Sequence, residues 1–455
     1  MSWPITRAPT QTGKTPLTNA MIDMYRLIEQ LWPLKRDILS DGYDQALYHL
    51  ADLVPMSIHE YPSGEACWTW KIPEKWTCHE AYLEDLNGRR LLDYADHPLH
   101  VVSYSAPFEG IVQREELLAH LHVHPRLPEA VPFVFKYYER DWGLCAPQVL
   151  RETLGDAAYR VVIRTRFEPG WLKVGEVLIP GQSEKTFVLA AHLCHPGMAN
   201  DDLTGVAVGL EAARTLLAGE RPYYTYRLLI LPETIGSVAY LSHHEALIPH
   251  MVGGLFLEML GNDSPHALQG SFQPNSRVDR CLVHALRGLD ALSYSAPYRT
   301  VIGNDERQFN APGVRVPMLS LSRVEPPSSP TRPYHEYHSN LDTPAIITPG
   351  RLEASLRVVL GLLQAWEQDQ YVVNRFKGEV FCSGYGIWVD YRTNPEAHRR
   401  LFDIMDRCDG EHTVSGIATE LDLSFQAVWE VVAQLEEKGL VALSREAQPA
   451  PSEQR

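Results

Sequence analysis

Residues 187–205, FVLAAHLCHPGMANDDLTG, decide the fold expected for this chain. They open with five apolar residues, 187–191, a length that favours a buried parallel strand over a helix. The chain then passes His192 and an Asn-Asp-Asp run at 200–202. After this run, the apolar residues 206–217 predict a helix. Side chains at the carboxyl end of such a strand lie in the crevice where open α/β sheets bind ligands.

His192 and Asp201 together form a candidate metal site in that crevice, since Zn²⁺ prefers imidazole and carboxylate ligands. Each residue alone has an ordinary structural explanation. A histidine after a strand is more often a hydrogen-bonded structural residue, and an Asn-Asp-Asp run is more often a turn or a helix N-cap. Their occurrence at the same strand end makes the two interpretations about equally favourable, so residues further along the chain must decide.

The composition indicates a globular protein with an acidic surface. The 455 residues permit two to four domains, and the apolar and charged fractions of 45% and 22% are ordinary. A net charge of −16 repels nucleic-acid backbones and anionic membranes. We expect neither a signal peptide nor a membrane span, because the sequence has no leader pattern and no apolar run near twenty residues. Seven cysteines without a CxxC pair favour reduced thiols in the cytoplasm.

The first third of the chain predicts two helices followed by a small β unit. Helical periodicity runs from Leu17 to Pro33, and a second helix is expected over 42–53. Residues 66–110 alternate apolar and polar positions around an Asn-Gly turn at 87–88, which predicts a small antiparallel unit. Three further strands are predicted at 133–142, 159–167 and 172–179.

The following segment alternates strands and helices, which predicts right-handed crossovers and a mostly parallel sheet. Strands are expected at 224–231 and 254–257, and the chain reaches Glu233 and Glu258 just after them. Three successive core strands therefore lead to His192, Glu233 and Glu258. The fold class predicted is α/β, with a mixed, mostly parallel sheet between helices.

Three domains are expected. The α/β domain comprises 16–65 and 130–375, and residues 66–129 form an inserted small β domain. Residues 376–446 predict a helix–turn–helix with a wing-like strand. Between residues 413 and 443 the only basic residue is Lys438, against five acidic residues. Counterion release needs clustered Lys and Arg, so we expect this domain to contact protein, as in a homo-oligomer, rather than nucleic acid.

The residues at the strand ends suit amide hydrolysis by a metal ion. A bound Zn²⁺ activates the carbonyl and lowers the pKa of a bound water from about 15.7 toward 7. A nearby carboxylate accepts the proton and later protonates the leaving amine. The sequence offers Glu233 as this base. The candidate metal ligands are His192, Asp201, Glu258 and His338.

The same segments resemble the co-catalytic zinc aminopeptidases. The matching stretches are Ala191-His192, Ala199-Asn200-Asp201, Pro232-Glu233-Thr234-Ile-Gly236, Glu258-Met-Leu-Gly261 and His338-Ser-Asn-Leu-Asp342-Thr343. The segments HLCHP, ANDDLTG, YRLLILPETIGS, GNDERQF and EYHSNLDT are also similar to those of a bacterial aminopeptidase-like family. Its members, long held as a domain of unknown function, carry an inserted β domain and a C-terminal winged helix. The resemblance covers about residues 20–445 and implies a place in a biosynthetic pathway, since some members lie in polysaccharide or natural-product gene clusters.

The resemblance implies a role for each candidate and also shows two departures. His192, Asp201 and Glu258 would surround one metal, with Asp201 bridging to a second metal beside His338. Cys194 stands where a carboxylate that orients His192 is expected, so we expect His195 or Asp342 to provide that contact. Thr234 replaces a usual ligand of the second metal. One zinc or two are therefore both compatible with the sequence, and Glu233 could itself be a ligand.

Four further residues are candidates for binding substrate. Asp305 and Arg307 lie where the family carries a recurrent active-site loop. Arg307 or Arg323 could grip a substrate carboxylate with its forked guanidinium. Tyr337 could donate to an oxyanion. Surface charges and a packed aromatic ring are the alternative interpretations.

Two functions follow. The first is a zinc-dependent hydrolase, most simply an aminopeptidase that acts on a short peptide or an aminoacyl-modified small molecule. An enclosed site on an acidic protein suits a small substrate with a cationic amine. The second is a degenerate metal-binding peptidase fold that serves as an interaction or regulatory module through its winged helix.

Overall fold

The structure, a computed structural model, describes residues 22–448. The first residues of the helix predicted from Leu17 lie outside the described residues. The chain divides into two compact units. Within the described residues, the first unit comprises 22–265 and 301–356, and the second comprises 266–300 and 357–448.

Helices and strands follow one another along the described residues. The helices are α1 Met24–Leu31, α2 Asp41–Ala51, α3 Arg114–His120, α4 Gln148–Thr153, α5 Leu203–Ala218, α6 Ile235–His243, α7 Arg277–Leu289, α8 Glu306–Asn310, α9 Pro349–Gln368, α10 Pro395–Met405, α11 Val414–Leu421 and α12 Phe425–Glu437. The strands are β1 Ser57–Pro62, β2 Ala66–Cys67, β3 Trp70–Lys71, β4 Lys75–Asp85, β5 Arg90–Asp93, β6 Phe108–Gln113, β7 Leu121–His122, β8 Leu144–Cys145, β9 Ala158–Glu168, β10 Trp171–Ile179, β11 Thr186–His192, β12 Thr225–Leu231, β13 Met251–Glu258, β14 His266–Gln269, β15 Tyr294–Ala296, β16 Met318–Arg323, β17 Tyr371–Asn374, β18 Asp409–Thr413 and β19 Val441–Ser444.

The first unit is built on a mixed sheet with the strand order β1-β10-β12-β11-β13-β16. β11 runs parallel to both β12 and β13, and β13 runs parallel to β16. β10 is antiparallel to β12, and β1 is antiparallel to β10. Every residue of β11 is buried, as expected for a central parallel strand with a continuous apolar run.

Helices cover both faces of this sheet. Gly209 of α5 packs against Leu228 of β12. On α6, Tyr240 packs edge-on against His59, whose ring pairs with Glu176 of β10. Glu176 pairs with Leu229, the residue after Leu228. Because consecutive strand residues point to opposite faces, Glu176 and Leu228 lie on opposite faces of the sheet, and α6 and α5 therefore cover different faces. The predicted α/β class, with a mixed and mostly parallel sheet between helices, is confirmed.

A second, antiparallel sheet in the same unit has the order β5-β4-β9-β6. The Asn-Gly turn at 87–88 connects β4 to β5, as the alternating pattern predicted. β9 pairs along its length with β4 and β6, although the prediction ended the inserted domain at residue 129. The position of β9 in this sheet means that two separate stretches of sequence build it. The predicted domain boundaries stay a prediction.

The strand predicted at 133–142 is wrong, because this segment forms only isolated contacts with other loops. The backbone N–H of Phe133 donates to the carbonyl of His338 at 2.8 Å. Ser103 bonds to Val134 and Lys136 at 2.8 and 2.9 Å. Phe133 and Trp142 are buried, whereas Phe135 and Tyr138 are about half exposed. Phe135 stacks on Tyr137, so these rings contact one another without forming a ladder of strand hydrogen bonds.

The second unit contains three helices close to the chain end and a three-stranded sheet of order β18-β17-β19. A turn at Asp422 joins α11 to α12, and both helices contact α7. The helices α11 and α12 and the strand β19 agree with the two helices and the wing-like strand predicted for residues 376–446. Its identity as a winged helix stays a prediction. Over residues 22–448, no helix has the length and hydropathy needed to cross a bilayer.

Candidate active site

The register of the parallel strands β11 and β13 places His192 beside Glu258. Ala190 of β11 lies opposite Phe256 of the parallel strand β13. His192 and Glu258 each lie two residues further on, so they share one face at the carboxyl end of the sheet. The distance from His192 Nε2 to Glu258 Oε1 is 3.6 Å, and both side chains are buried.

The turn between β11 and α5 delivers Asp201 to the same place. Asp342 holds this turn, since its carboxylate accepts the backbone N–H groups of Asn200 and Asp201 at 2.7 and 3.1 Å. Asp202 caps α5 by accepting the N–H of Gly205 at 2.9 Å and also accepts the N–H of Met259 at 3.0 Å. The turn is therefore tied to both the helix and the end of β13.

The carboxylate of Asp201 lies between two histidines from distant parts of the chain. Its Oδ1 is 3.1 Å from His192 Nε2, and its Oδ2 is 3.1 Å from His338 Nε2. Two groups of three potential ligand atoms share this carboxylate. One is formed by His192, Asp201 and Glu258, and the other by His195, Asp201 and His338, with all atoms of each group within 4.8 Å of one another.

These atoms fit a divalent cation. His195 Nε2 and Glu258 Oε2 are buried and make no hydrogen bond within the part of the chain that the structure describes, and His192 Nε2 and Asp201 Oδ1 are buried and face other candidate ligands. A buried polar atom without a partner costs about 1–3 kcal/mol, so a folded protein rarely retains two of them in one cluster. Imidazole nitrogens and carboxylate oxygens are the ligands that zinc prefers.

The charges of the site depend on one another. Burial lowers the pKa of His195 well below its ordinary value. Burial acts in the same direction on His192, but contacts with Asp201, Cys194 and Glu258 raise the pKa of His192 well above its ordinary value. Burial opposes ionisation of Asp201, yet the surrounding histidines hold its pKa well below the usual range. The lowered pKa favours the anionic form of Asp201, which is the form that binds a cation.

Glu233 lies beside these ligand groups without belonging to them. It follows β12, and its side chain is 27% exposed, with Oε2 at 3.5 Å from His195 Nε2. Its backbone N–H donates to Cys194 Sγ at 3.2 Å. Among residues 22–448, no group of three clustered ligand atoms includes Glu233. This position suits a base better than a ligand.

Residues 304–306 contact a candidate ligand and the turn that carries Glu233. Asn304 Nδ2 donates to Glu258 Oε1, which orients that carboxylate. Asp305, predicted to bind substrate, is fully buried and accepts from Thr234 N–H at 2.9 Å and from the Ser237 hydroxyl. Burial raises the pKa of Asp305 to about 7. These contacts give Asp305 a part in positioning the Glu233–Thr234 turn.

The other predicted substrate residues differ in how accessible they are. Tyr337 stacks on His338 with ring centroids 3.9 Å apart and is partly exposed. Arg307 is also partly exposed, and its Nε donates to the Asn304 carbonyl at 2.8 Å. Arg323 is buried and donates to Ser355 Oγ and the Ser264 carbonyl at 2.9 and 2.8 Å. Substrate binding by Arg323 would require breaking these bonds.

His195, rather than Asp342, contacts His192. The Nδ1 atoms of His192 and His195 are 3.2 Å apart, and Cys194 Sγ lies 3.8 Å from the first and 3.5 Å from the second. The carboxylate of Asp342 instead accepts from the turn at 199–201 and from the Tyr334 hydroxyl at 2.7 Å. The sequence left both residues open for this contact.

Two supporting residues were missed by the sequence analysis. Arg36 is completely buried and donates to the carbonyls of Leu193, His195 and Met198 at 2.8–2.9 Å, which clamps the loop after β11. A lone arginine before a helix carries no signal for such a role. Asn304 lies in the GNDERQF segment, so its neighbourhood was identified but its contact with Glu258 was not.

The chain is similar in sequence to known proteins. Residues 25–369 match the sequence profile of a family described as "Domain of unknown function (DUF4910)". A Clostridium acetobutylicum protein, described as a polysaccharide biosynthesis protein with an aminopeptidase-like domain, is 29% identical over 413 residues. The match covers 89% of this chain and 93% of that protein.

Solved structures share the fold. A candidate peptidase from Clostridium acetobutylicum superposes with a TM-score of 0.82 at 28% identity, covering 93% of this chain and 96% of that one. A zinc aminopeptidase from Bacillus subtilis gives a TM-score of 0.56 at 15% identity, covering 77% and 95% of the two chains. At this identity the second match supports the fold alone. The predicted zinc-aminopeptidase-like fold is confirmed.

Proposed function

We propose that this chain, which belongs to the family described as a domain of unknown function (DUF4910), is a zinc-dependent amide hydrolase. The reason is that one carboxylate joins its two ligand groups. The proposed substrate is a short peptide or an aminoacyl-modified small molecule. The observation that carries this proposal is Asp201, whose two oxygens each lie 3.1 Å from a different histidine.

The proposed mechanism assigns binding and proton transfer to different side chains. His192, Asp201 and Glu258 would hold a cation, and His338 lies on the other side of Asp201. When bound, a divalent cation polarises an amide carbonyl and lowers the pKa of a water molecule. Glu233 accepts the proton of the attacking water and returns it to the leaving amine, which its side-chain exposure of 27% permits.

The surroundings of the site favour a small substrate with a cationic amine. The carboxylate of Glu233, which is outside the ligand groups, is partly exposed on a chain with a net charge of −16. The ring of Phe133 lies 4.8 Å from that of His195 and adds an apolar wall. The description of the Clostridium acetobutylicum relative supports a role in a biosynthetic pathway. Arg307 and Tyr337 remain the proposed contacts for the rest of the substrate.

The cellular setting is part of the same proposal. The seven cysteines are all described and free of disulfides, which favours a reducing compartment such as the cytoplasm. The C-terminal residues 376–446 would serve as a protein contact surface, for example in a homo-oligomer. Retention on DNA at physiological salt would contradict this assignment.

A second candidate function is a non-catalytic metal-binding module. The observation in its favour is Thr234, which stands where the resemblance to zinc aminopeptidases implies a carboxylate ligand. The two functions differ in turnover, so a screen of aminoacyl amides and acyl-amine compounds with Zn²⁺, Mn²⁺ or Co²⁺ separates them. We expect hydrolysis of at least one aminoacyl compound and zinc in protein purified without chelator. Protein that contains zinc but hydrolyses none of these compounds would favour the binding module.

Glu233→Gln tests the proposed base. Removing the carboxylate while keeping the side-chain shape should lower kcat by about 10²–10⁴-fold. The zinc content should stay unchanged, since Glu233 lies outside the ligand groups. Glu220→Gln, on an exposed glutamate, is the matched control and should retain full activity. Loss of zinc in Glu233→Gln would instead identify Glu233 as a ligand, and unchanged kcat would remove it from the mechanism.

A further inference from the structure

His195 has no assigned role beyond its contact with His192, yet its second ring nitrogen is placed to bind. The side chain is 1% exposed, and Nε2 makes no hydrogen bond with any described residue. A ligand atom of His195 lies within 4.8 Å of those of Asp201 and His338. Three potential ligands, two from the loop between β11 and α5 and one from the loop that contains His338, therefore lie close together.

Without His195 Nε2, the two sides of Asp201 offer different numbers of potential metal ligands. One side offers His192, Glu258 and one oxygen of Asp201. Among residues 22–448, the other side, counted without His195, offers His338 and the second oxygen of Asp201. Catalytic zinc sites usually have three protein ligands and one open position. With His195 included, both sides reach three.

The backbone of His195 indicates that its surroundings hold the ring in place. Its φ of 81° lies in the left-handed region, which is unfavourable for a non-glycine residue and persists only where other contacts enforce it. Arg36 enforces it by donating to the His195 carbonyl at 2.8 Å. On the ring itself, Nδ1 faces Cys194 Sγ at 3.5 Å, and Nε2 lies on the opposite side of the ring, 3.5 Å from Glu233 Oε2.

We propose that His195 Nε2 is a protein ligand of a second divalent cation, which it holds together with Asp201 and His338. The proposed function supplies the class of ligand, a divalent metal, and this inference rests on it. His195 would thereby provide the ligand that Thr234 lacks. The competing role for His195 is an ion pair with Glu233, whose Oε2 lies 3.5 Å away.

Metal stoichiometry tests the proposal without any activity measurement. The full chain is freed of metal with a chelator, titrated with Co²⁺ and followed by visible absorption, and its bound Zn²⁺ is then measured by elemental analysis after dialysis. We expect two equivalents for the unaltered chain and one for His195→Asn. His335→Asn, which removes an exposed histidine near His338, is the matched control and should retain two equivalents.

The outcomes separate this inference from the proposed function. One equivalent in both the unaltered chain and His195→Asn would overturn the role of His195 while leaving a one-metal hydrolase intact. No bound metal in the unaltered chain would overturn both proposals. Two equivalents in His195→Asn would also overturn the role of His195.

A crystallographic measurement on the unaltered chain avoids any dependence on the folding of a variant. Crystals soaked in Zn²⁺ and measured at the zinc absorption edge should show two anomalous peaks. One peak should lie about 2.0–2.1 Å from His195 Nε2, the usual zinc–nitrogen distance. A second peak that contacts Asp201 and His338 but not His195 would overturn the proposal.

Discussion

Asp201 is the residue on which the site depends most directly. It is buried, and each of its oxygens faces a different histidine. The turn that carries it is held by Asp342, whose carboxylate is itself buried and has a pKa raised by burial to about 7. The position of Asp201 depends on Asp342, so residues that contact a candidate ligand also determine the geometry of the site.

Asp37 provides a pH-dependent prediction at the same scale, away from the metal ligands. Burial raises its pKa from 3.8 to about 7, and its carboxyl group pairs with the Ser103 hydroxyl. The folded protein therefore binds more protons than the unfolded chain between about pH 4 and pH 7. The contribution of Asp37 to stability is present below this window and is lost as the pH rises through about 7.

We expect Asp37→Asn to flatten the dependence of unfolding on pH. The Tm of the unaltered chain should fall between pH 5 and pH 8 by more than that of Asp37→Asn, with a difference on the order of 1 kcal/mol or more in unfolding free energy. Thermal melts across this pH range measure the effect. Asp156→Asn, at an exposed position, should show the same pH dependence as the unaltered chain. Parallel curves for all three proteins would contradict the prediction.

At the scale of elements, the parallel strands and α5 bring the ligands together. The register of β11 and β13 places His192 and Glu258 side by side, and α5 begins beside the end of β13. Gly205 permits this close approach. A Cβ at position 205 would lie 2.4 Å from both Asp202 Oδ1 and the Leu257 carbonyl oxygen. These contacts are too short for any real side chain.

Gly205→Ala should therefore displace the start of α5 from β13. We expect a loss of about 1–3 kcal/mol in stability, the usual cost of overpacking, together with weaker Zn²⁺ binding because Asp201 moves away from Glu258. Thermal melts and metal titrations measure the two effects. Gly350→Ala, in the exposed first turn of α9 with no atom within 4 Å of the added Cβ, is the control. Similar results for both variants would show that the approach of α5 to β13 has no influence on the site.

At the scale of the whole molecule, the buried charges of the site link folding to metal binding. All the proposed ligands belong to the first unit. A ligand that binds only the folded state stabilises it by about 4 kcal/mol at a thousandfold excess over its Kd. Removal of the metal also leaves buried carboxylates and imidazoles without that partner.

We expect chelation to lower the Tm, and added Zn²⁺ to restore it. Differential scanning calorimetry with EDTA, with calcium-saturated EDTA and with EDTA followed by excess Zn²⁺ measures this dependence. The calcium-saturated chelator is the control for direct effects of EDTA on the protein. An identical Tm in all three conditions would mean that folding does not depend on a bound metal.

Local sequence pattern was sufficient for the central fold. A short apolar run followed by polar residues identifies a buried strand and its carboxyl end, because burial of a parallel strand requires apolar side chains on both faces. Repetition of this pattern at His192, Glu233 and Glu258 indicated a shared edge of the sheet. The pattern failed at 133–142, where aromatic residues contact other rings and no neighbouring strand pairs with the segment.

Only the tertiary structure decided which loops support the site. Arg36 lies more than 150 residues from the carbonyls that it binds, and Asn304 is 46 residues from Glu258. The choice of His195 over Asp342 as the neighbour of His192 is of the same kind. Hydrophobic periodicity reports whether a residue is buried, whereas contacts between irregular loops depend on the path of the whole chain. Strand register follows from regular geometry, and loop contacts do not.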